Sequence, residues 1–406
     1  MLIPEIFSML GFIIVLGFLG NFLFKKTGIP DILILLILGL LLGPIFNVFD
    51  ASIFKDYSQI FAALALMILL FEGGLNLNIY RVFQESSRAS LLAILAVMTS
   101  MIITTLFAKF FFGWSLLPGL LLGAMIGGSS SSIVVPLMRK INTGEKIETL
   151  MSLESAFTDA LTVVIGITLI HLLVSPSGST GYILTHGIAS AFSIGAMFGL
   201  IIGLVWLRIL KSLEGESYKS ILTLAIVFLV YSLVESLGGN GAISSLMFGL
   251  VLGNAKTISK IIRSKEEMKT ESSMKEFHSE ISFLVRTFFF VYLGMILMIG
   301  NWYLVFLSIF LSSLLLIGRV FSVYLATIKN SNLMKNRDLM VIMLPRGLAA
   351  AVLSQLPAVY GLENASVYPE VVFTVIMTTV IICIVGVFVI SIRNKKIEKK
   401  NSKNSG

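Results

Sequence analysis

The stretch LESAFTDALTVVIGITLI, from Leu153 to Ile170, decides which fold class the sequence predicts. It is long and apolar enough to form a helix that crosses a lipid bilayer. It nevertheless contains two carboxylates, Glu154 and Asp159. A charge inside a bilayer costs about 3 kcal/mol on insertion scales, so these two acids indicate a buried ion pair, an ion-handling site, or both.

Apolar runs of this kind recur along the whole chain. Of its 406 residues, 56% are hydrophobic and only 13% are charged, whereas soluble domains carry roughly a quarter charged residues. We therefore predict an all-α polytopic membrane protein with about thirteen transmembrane helices. The predicted spans are 4–23, 31–48, 59–76, 90–111, 117–138, 147–171, 181–207, 218–237, 240–254, 280–299, 302–328, 338–357 and 369–392.

The basic residues predict the orientation. An odd number of spans places the two ends of the chain on opposite sides of the membrane. If the basic tail at 393–406 is cytoplasmic, the loops on the same side contain nearly all the Lys and Arg, as the positive-inside rule requires. The exceptions are Lys55, Lys109, Arg286, Arg319 and Arg346. We expect a plasma-membrane protein with its N-terminus outside, and the net charge of +8 is then no sign of nucleic-acid binding.

Recurring glycine motifs suggest an internal duplication. LGLLLGP (Leu38–Pro44) matches FGLVLGN (Phe248–Asn254), and two further matches pair Gly74 with Gly294 and Gly128 with Gly347. Glycines also recur in membrane helices for packing reasons alone. The matched spans are an odd number of spans apart, so the two copies would have opposite orientation, as in many secondary transporters.

The duplication predicts the organisation of the chain. We expect a first inverted repeat at 1–173, a linker helix at 174–212, a second repeat at 213–392 with a charged cytoplasmic loop at 255–279, and the tail at 393–406. Spans five and twelve contain GAMIGGSSSS and MLPRGLAAAV. Their flexible and helix-breaking residues predict two broken helices that cross at a binding site.

Depth in the membrane separates the two acids of span six. Glu154, Arg319 and Arg346 each lie about two turns from the inner end of their predicted spans. Since pairing at equal depth reduces the cost of burying charge, we expect Glu154 to pair with Arg319, with Arg346, or with both.

Asp159 lies about 7 Å deeper than Glu154 and on a different face of the helix. The sequence predicts no basic residue at the same depth. Burial disfavours the charged form of a carboxylate, so such a group can hold a proton near neutral pH or exchange it for a cation. Hydroxyl groups expected nearby are those of Ser155, Thr158, Ser129 and Ser130. Oxygen ligands suit hard cations, and we predict that Asp159, Ser155 and Ser129 hold a transported Na⁺.

The serine run also admits a membrane hydrolase, which would need a base beside the nucleophile. The three histidines lie near predicted span ends, away from the serines: His171, His186 and His278. Neither they nor the single cysteine, Cys383, predicts a metal site. We expect a transporter, not an enzyme, and no cofactor.

The chain resembles the monovalent cation/proton antiporter superfamily, in particular its sodium/proton exchanger (NhaP-like) branch. Four segments in matching order carry the resemblance: GIPDILILLILGLLLGP, ESAFTDA, GRVFSVY and LPRGLAAAV. It implies that Asp159 binds the ion, that Glu154 is structural and pairs with Arg319, and that Arg346 lies on the broken span twelve.

The resemblance also implies a mechanism. Spans four to six and eleven to thirteen would move as a core against a scaffold of spans one to three and eight to ten, and the scaffold would form a homodimer. The chain departs from the family pattern at Thr158, where an Asn is usual, and at Ser130, where an acid is usual. Arginine at position 319 is associated with electroneutral exchange.

We therefore predict an antiporter that exchanges Na⁺ for H⁺ by alternating access. The alternatives are a K⁺/H⁺ antiporter of the same fold, a sodium-coupled symporter of an organic anion, and a non-transporting membrane scaffold or sensor. The expected partners are Na⁺ (or Li⁺ or K⁺), the proton, membrane lipid and a second copy of the chain.

Overall fold

The computed structural model of the chain is almost entirely helical, with no strand among the residues that it describes. These are residues 3–27, 31–46, 58–130, 133–134, 137–138, 145–174, 180–213, 215–261, 272–296, 301–328 and 330–404. The helices are, in chain order, α1 (Ile3–Thr27), α2 (Asp31–Leu40, continued by a π-helical turn at Leu41–Ile45), α3 (Ser58–Asn76), α4 (Ile79–Phe112), α5 (Leu116–Met125), α6 (Glu145–Val174), α7 (Thr180–Ser212), α8 (Lys219–Ser236), α9 (Gly241–Gly253), α10 (Ala255–Ile261), α11 (Ser272–Ile296), α12 (Trp302–Ala326), α13 (Ser331–Met334), α14 (Arg337–Ile342), α15 (Leu348–Val359) and α16 (Val367–Asn404).

These helices account for the predicted spans. In the described part of the chain, 6 helical segments are long and apolar enough to cross a membrane: Ser87–Phe112, Lys146–Val174, Ser190–Ser212, Lys219–Ser236, Trp302–Ala326 and Val367–Ile390. The shorter apolar helices are Phe7–Leu23, Asp31–Ile45, Ala63–Asn76, Leu116–Met125, Gly241–Gly253 and Leu348–Val359. Helix α11 covers most of the remaining predicted span, 280–299. The prediction of an all-α multi-pass membrane protein is confirmed.

The predicted cytoplasmic loop at 255–279 begins and ends in helix. Helix α10 occupies its start, and the first turns of α11 occupy its end, while residues 262–271 lie outside the described residues. Ala255 and Ile258 of α10 are buried in one apolar cluster with Trp206 and Leu207 of α7. The apolar side of this short helix is therefore docked on the membrane helices.

Two spans are interrupted where the sequence predicts breaks. Helix α5 ends at Met125, and the chain runs without helix through residues 128–130. Glycines at positions 127 and 128 explain this end, because glycine has a low helix propensity. Beyond this break, the described residues of span five are two short helical pairs, 133–134 and 137–138.

The second break lies between α14 and α15, at residues 343–347. Pro345 explains it, because proline lacks an N–H group and disfavours helical geometry in the residue before it. The two breaks touch each other: the Ser130 N–H donates to the Pro345 carbonyl at 2.8 Å. The interrupted spans therefore meet at their non-helical segments.

The helices pack in two sets. Helix α4 contacts α5, α6 and α12, while α15 contacts α5, α6 and α16, so this set surrounds the breaks. In the other set α2 contacts α1 and α11, α3 contacts α9 and α11, and α9 contacts α7 and α8. The contact of α15 with α3 joins the two sets.

Glycines bring α2 and α11 into direct backbone contact. A Cβ atom on Gly39 would lie 2.9 Å from the Cα atom of Gly294 and would collide with the carbonyl of Val291. A Cβ atom on Gly294 would collide in turn with the carbonyl of Leu36. No residue with a side chain fits at this crossing without separating the helices.

Helices α3 and α9 meet in the same way. A Cβ atom on Gly74 would collide with the carbonyl of Leu246, and one on Gly249 would collide with the carbonyl of Phe71. The sequence comparison pairs Gly39 with Gly249 and Gly74 with Gly294. The matched glycines thus make equivalent contacts in the two helix pairs.

Adjacent glycines on α3 allow this packing to be tested. Gly74→Ala places a methyl group against the α9 backbone, and overpacking of this kind costs about 1–3 kcal/mol. Gly73→Ala is the control, because a Cβ atom there meets nothing within 4 Å and alanine favours helix. We expect a lower melting temperature in detergent for Gly74→Ala, and an unchanged or higher one for Gly73→Ala. Equal melting temperatures for the two variants would contradict the backbone contact.

Candidate functional site

One buried ion pair joins α6 to α12. Arg319 Nη1 donates to Glu154 Oε1 at 2.8 Å, and Arg319 Nη2 donates to Glu154 Oε2 at 3.2 Å. The two side chains are 2% and 0% exposed. The two-point geometry matches the planar guanidinium to the carboxylate. Each charge therefore compensates the other at a position that water does not reach.

Arg319 also binds the broken span twelve. Its Nε donates to the Met340 carbonyl at 3.2 Å, and its Nη2 donates to the Met343 carbonyl at 3.1 Å. These carbonyls lie at the C-terminal end of α14, where a helix leaves its last carbonyls without partners in the helix. The ion pair and the second break are therefore one hydrogen-bonded unit.

The first break is bound to the same unit through Ser129. The Ser129 hydroxyl donates to Glu154 Oε2 at 3.0 Å and lies 2.9 Å from Ser155 Oγ. The Ser129 N–H donates to the Thr158 hydroxyl oxygen at 3.1 Å. The Thr158 hydroxyl in turn donates to the Ser155 carbonyl at 3.0 Å. These buried hydroxyls hold the break against one side of α6.

Arg346 does not share the role of Arg319. Its Nη1 donates to the carbonyls of Gly127 and Gly128, at 3.0 and 2.9 Å. Its backbone N–H donates to the hydroxyl of Thr379 at 3.1 Å. The expectation that Arg346 pairs with Glu154 therefore gives way to another arrangement, in which Arg346 binds two carbonyls of the first break, just beyond the end of α5.

Ser130 lies at the contact between the two breaks. Its side chain is 5% exposed and packs against Gly347, where a Cβ atom would collide with the Ser130 hydroxyl. Ser131 and Ser132, which follow it in the serine run, lie outside the described residues. The described serines are thus divided: Ser129 bonds to α6, and Ser130 faces the other break.

Asp159 is half-buried, whereas Glu154 on the same helix is fully buried. Ser155 lies one turn before Asp159 on the same face of α6, and Thr158 is its neighbour in the chain. The Asp159 carbonyl accepts a hydrogen bond from the Thr162 hydroxyl at 3.0 Å. A partly exposed carboxylate on a helix with hydroxyl groups at neighbouring positions is a candidate to bind a hard cation or a proton.

No resident metal centre is found in the described residues, because no group of three or more His, Cys, Asp or Glu could hold a metal ion there. An ion bound at Asp159 would take its other ligands from hydroxyl and carbonyl oxygens. Because only one of these ligands would carry a charge, such a site would bind a cation weakly enough for it to dissociate.

A second intramembrane ion pair escaped the sequence analysis. Arg286 Nη2 on α11 donates to Asp31 Oδ2 on α2 at 2.9 Å, with 19% and 8% of the side chains exposed. Both residues lie close to the inner ends of their predicted spans. Asp31 is the first residue of its predicted span and Arg286 lies six residues inside its own, about 9 Å deeper, so a comparison of equal depths does not predict this pair.

Removing one partner of the Glu154–Arg319 pair tests its structural role. Arg319→Ala leaves a buried carboxylate and two carbonyls without their donor, and such a loss costs about 3–5 kcal/mol. We expect much less folded protein, measured by size-exclusion chromatography and thermal unfolding in detergent. The double variant Glu154→Leu with Arg319→Met should recover part of the loss, because apolar replacement of both charges is far less costly. A stable Arg319→Ala protein would argue against this role.

Comparisons with known proteins agree with this geometry. Residues 10–391 match the family described as "Sodium/hydrogen exchanger, transmembrane". The solved structure of the sodium proton antiporter MjNhaP1 from Methanocaldococcus jannaschii at pH 8 is similar, with a TM-score of 0.78, 22% identity, and coverage of 94% of this chain and 95% of that one. The two proteins therefore share a fold.

Curated relatives match over part of their length. The K(+)/H(+) antiporter NhaP2 of Shewanella sp. (strain MR-4) is 32% identical over 238 residues, which are 57% of this chain and 41% of that protein. The Na(+)/H(+) antiporter ApNhaP of Aphanothece halophytica is 28% identical over 269 residues, or 66% of this chain and 49% of that protein. The matched region thus spans about half or less of these relatives. The family match, by contrast, runs through almost the whole chain, which belongs to the sodium/hydrogen exchanger family.

Proposed function

We propose that the protein exchanges a monovalent cation for a proton across the membrane, with Asp159 as the group that carries either ion. One observation carries the proposal: α6 presents two acids in different environments. Glu154 is buried in an ion pair, while Asp159 is half-buried and directly follows Thr158, whose hydroxyl binds Ser129 of the first break. Family membership supports the same activity.

The chemistry of exchange needs only one carboxylate. An ionised Asp159 binds a cation on one side of the membrane, releases it on the other, and returns with a proton. One positive charge moves in each direction, so the exchange is electroneutral. We infer Na⁺ as the preferred cation, and the named activities of the relatives make K⁺ the second cation to test.

We further propose that the set of helices around the breaks, α4, α5, α6, α12, α15 and α16, moves against the other set. We call that other set, α1, α2, α3, α7, α8, α9 and α11, the glycine-packed set. The Glu154–Arg319 pair ties α6, α12 and both breaks together, and this supports their movement as one body. The equivalent contacts of Gly39 with Gly294 and of Gly249 with the α3 backbone support two inverted repeats, at 1–173 and 213–392, joined by a linker helix at 174–212. A homodimer formed through the glycine-packed set, in the plasma membrane with the tail at 393–406 in the cytoplasm, completes the proposal.

Asp159→Asn tests the assignment of the ion-carrying group. The amide cannot ionise, so it can neither release a proton nor balance a cation. We expect Na⁺-driven proton movement in proteoliposomes to fall to the level of protein-free vesicles. Asp338→Asn is the matched control: Asp338 pairs with Arg393 at the surface, and its side chain is 56% exposed.

Undiminished exchange by Asp159→Asn would refute the assignment. The same vesicles, tested with Na⁺, Li⁺, K⁺ and organic anions, separate the other functions. Uptake of an anion that depends on Na⁺ would indicate a symporter. Wild-type vesicles that move no ion would indicate a scaffold or sensor.

The stoichiometry is tested by voltage. A membrane potential acts on net charge moved, at about 2.3 kcal/mol per charge per 100 mV. One-for-one exchange of Na⁺ for H⁺ moves no net charge. We therefore expect the rate of Na⁺-driven proton movement to be the same with and without an imposed potential. A rate that follows the potential would contradict one-for-one exchange.

A further inference from the structure

The side chain of Asn254 ties together three segments of the chain. Asn254 directly follows α9 and is 7% exposed. Its Oδ1 accepts from the Ile79 N–H at 2.9 Å. Its Nδ2 donates to the Leu77 carbonyl at 2.7 Å and to the Leu250 carbonyl at 2.8 Å. One amide thus binds the end of α9, the connection that follows α3, and the first residue of α4.

Only a side chain with a donor and an acceptor can make these contacts. Ile79 is the first residue of α4, and the first N–H groups of a helix have no partner within it. The Leu77 carbonyl accepts from Nδ2, which also donates to the Leu250 carbonyl, an acceptor of the Asn254 N–H as well. An amide group satisfies all three, which neither a carboxylate nor an aliphatic side chain can do.

The connection held by Asn254 joins the two packing sets. Helix α3 is packed on α9 through Gly74 and Gly249, and α4 packs on α5, α6 and α12. Only residues 77 and 78 separate α3 from α4. Any change in the angle between α3 and α4 must therefore be absorbed close to these two residues, which form one of the connections between the two sets.

We propose that Asn254 is the anchor of the pivot about which the site-bearing helices move. This inference rests on the proposed exchange by alternating access. Asn254 holds the start of α4 at a fixed point on α9, so the movement becomes a rotation about that point. Asn254 is a positioning residue: it sets how fast the two states interconvert and leaves the binding of cation and proton at Asp159 unchanged.

The test compares Asn254→Ala with Asn240→Ala in proteoliposomes. Asn240 is the matched control, because it is also buried and caps the other end of α9, where its Oδ1 accepts from the Ile243 N–H at 2.9 Å. Loss of either asparagine removes a cap from the same helix, but only Asn254 also binds α4. Asn254→Asp is a second variant, which keeps an acceptor for Ile79 and places a carboxylate against two carbonyls.

Two measurements separate movement from binding. We expect Asn254→Ala and Asn254→Asp to lower the maximal rate of Na⁺-driven proton movement per folded protein by roughly threefold or more, as hinge changes alter turnover. The rise in melting temperature with Na⁺ concentration should follow the wild-type curve, because that shift reports binding. Asn240→Ala should match the wild type in both measurements.

Several outcomes would overturn the inference. A wild-type maximal rate in Asn254→Asp or Asn254→Ala does so, and so does an equal loss of rate in Asn240→Ala. A different dependence of the melting-temperature rise on Na⁺ concentration in the Asn254 variants would place Asn254 in ion binding instead. If the wild-type protein itself exchanges no cation, the proposed function fails first, which distinguishes the two failures.

Discussion

Glu154 and Arg319 lie buried on neighbouring helices, and neither charge could remain there without the other. The same two side chains also bind Ser129 in the first break and the Met343 carbonyl in the second. Any sliding of α6 against α12 would break the pair and its hydrogen bonds together. The pair therefore couples α6, α12 and both breaks, and the movement that we propose for exchange would occur at the borders of that unit.

The breaks expose backbone groups within the membrane part of the protein, where each group without a partner costs several kcal/mol. Each break is satisfied largely by the other or by a neighbouring side chain. The Ser130 N–H binds the Pro345 carbonyl, and Arg346 binds the carbonyls of Gly127 and Gly128. Arg346 is thus explained by the carbonyls of the first break and not by a carboxylate. The break can persist here because a cation lies beside its carbonyls.

The sequence predicts most of this fold because length and apolar content decide where helices can cross a bilayer. Glycines and Pro345 mark the breaks for local steric reasons, and equal depth identifies Arg319 as a partner for Glu154. Depth gives a level in the membrane but not a direction around the helix, so it could not separate Arg319 from Arg346. Binding of Arg346 to carbonyls leaves no trace in the sequence, since every residue has a carbonyl.

The same helix geometry explains why two acids on α6 can have different roles. Five residues turn an α-helix by about 140°, so Glu154 and Asp159 face different surroundings although they are close along the helix. Glu154 faces α12 and is sealed there by a charge. Asp159 is turned toward a more accessible side. Under the proposed function, a single helix then carries one acid that holds the unit together and one that exchanges a cation for a proton.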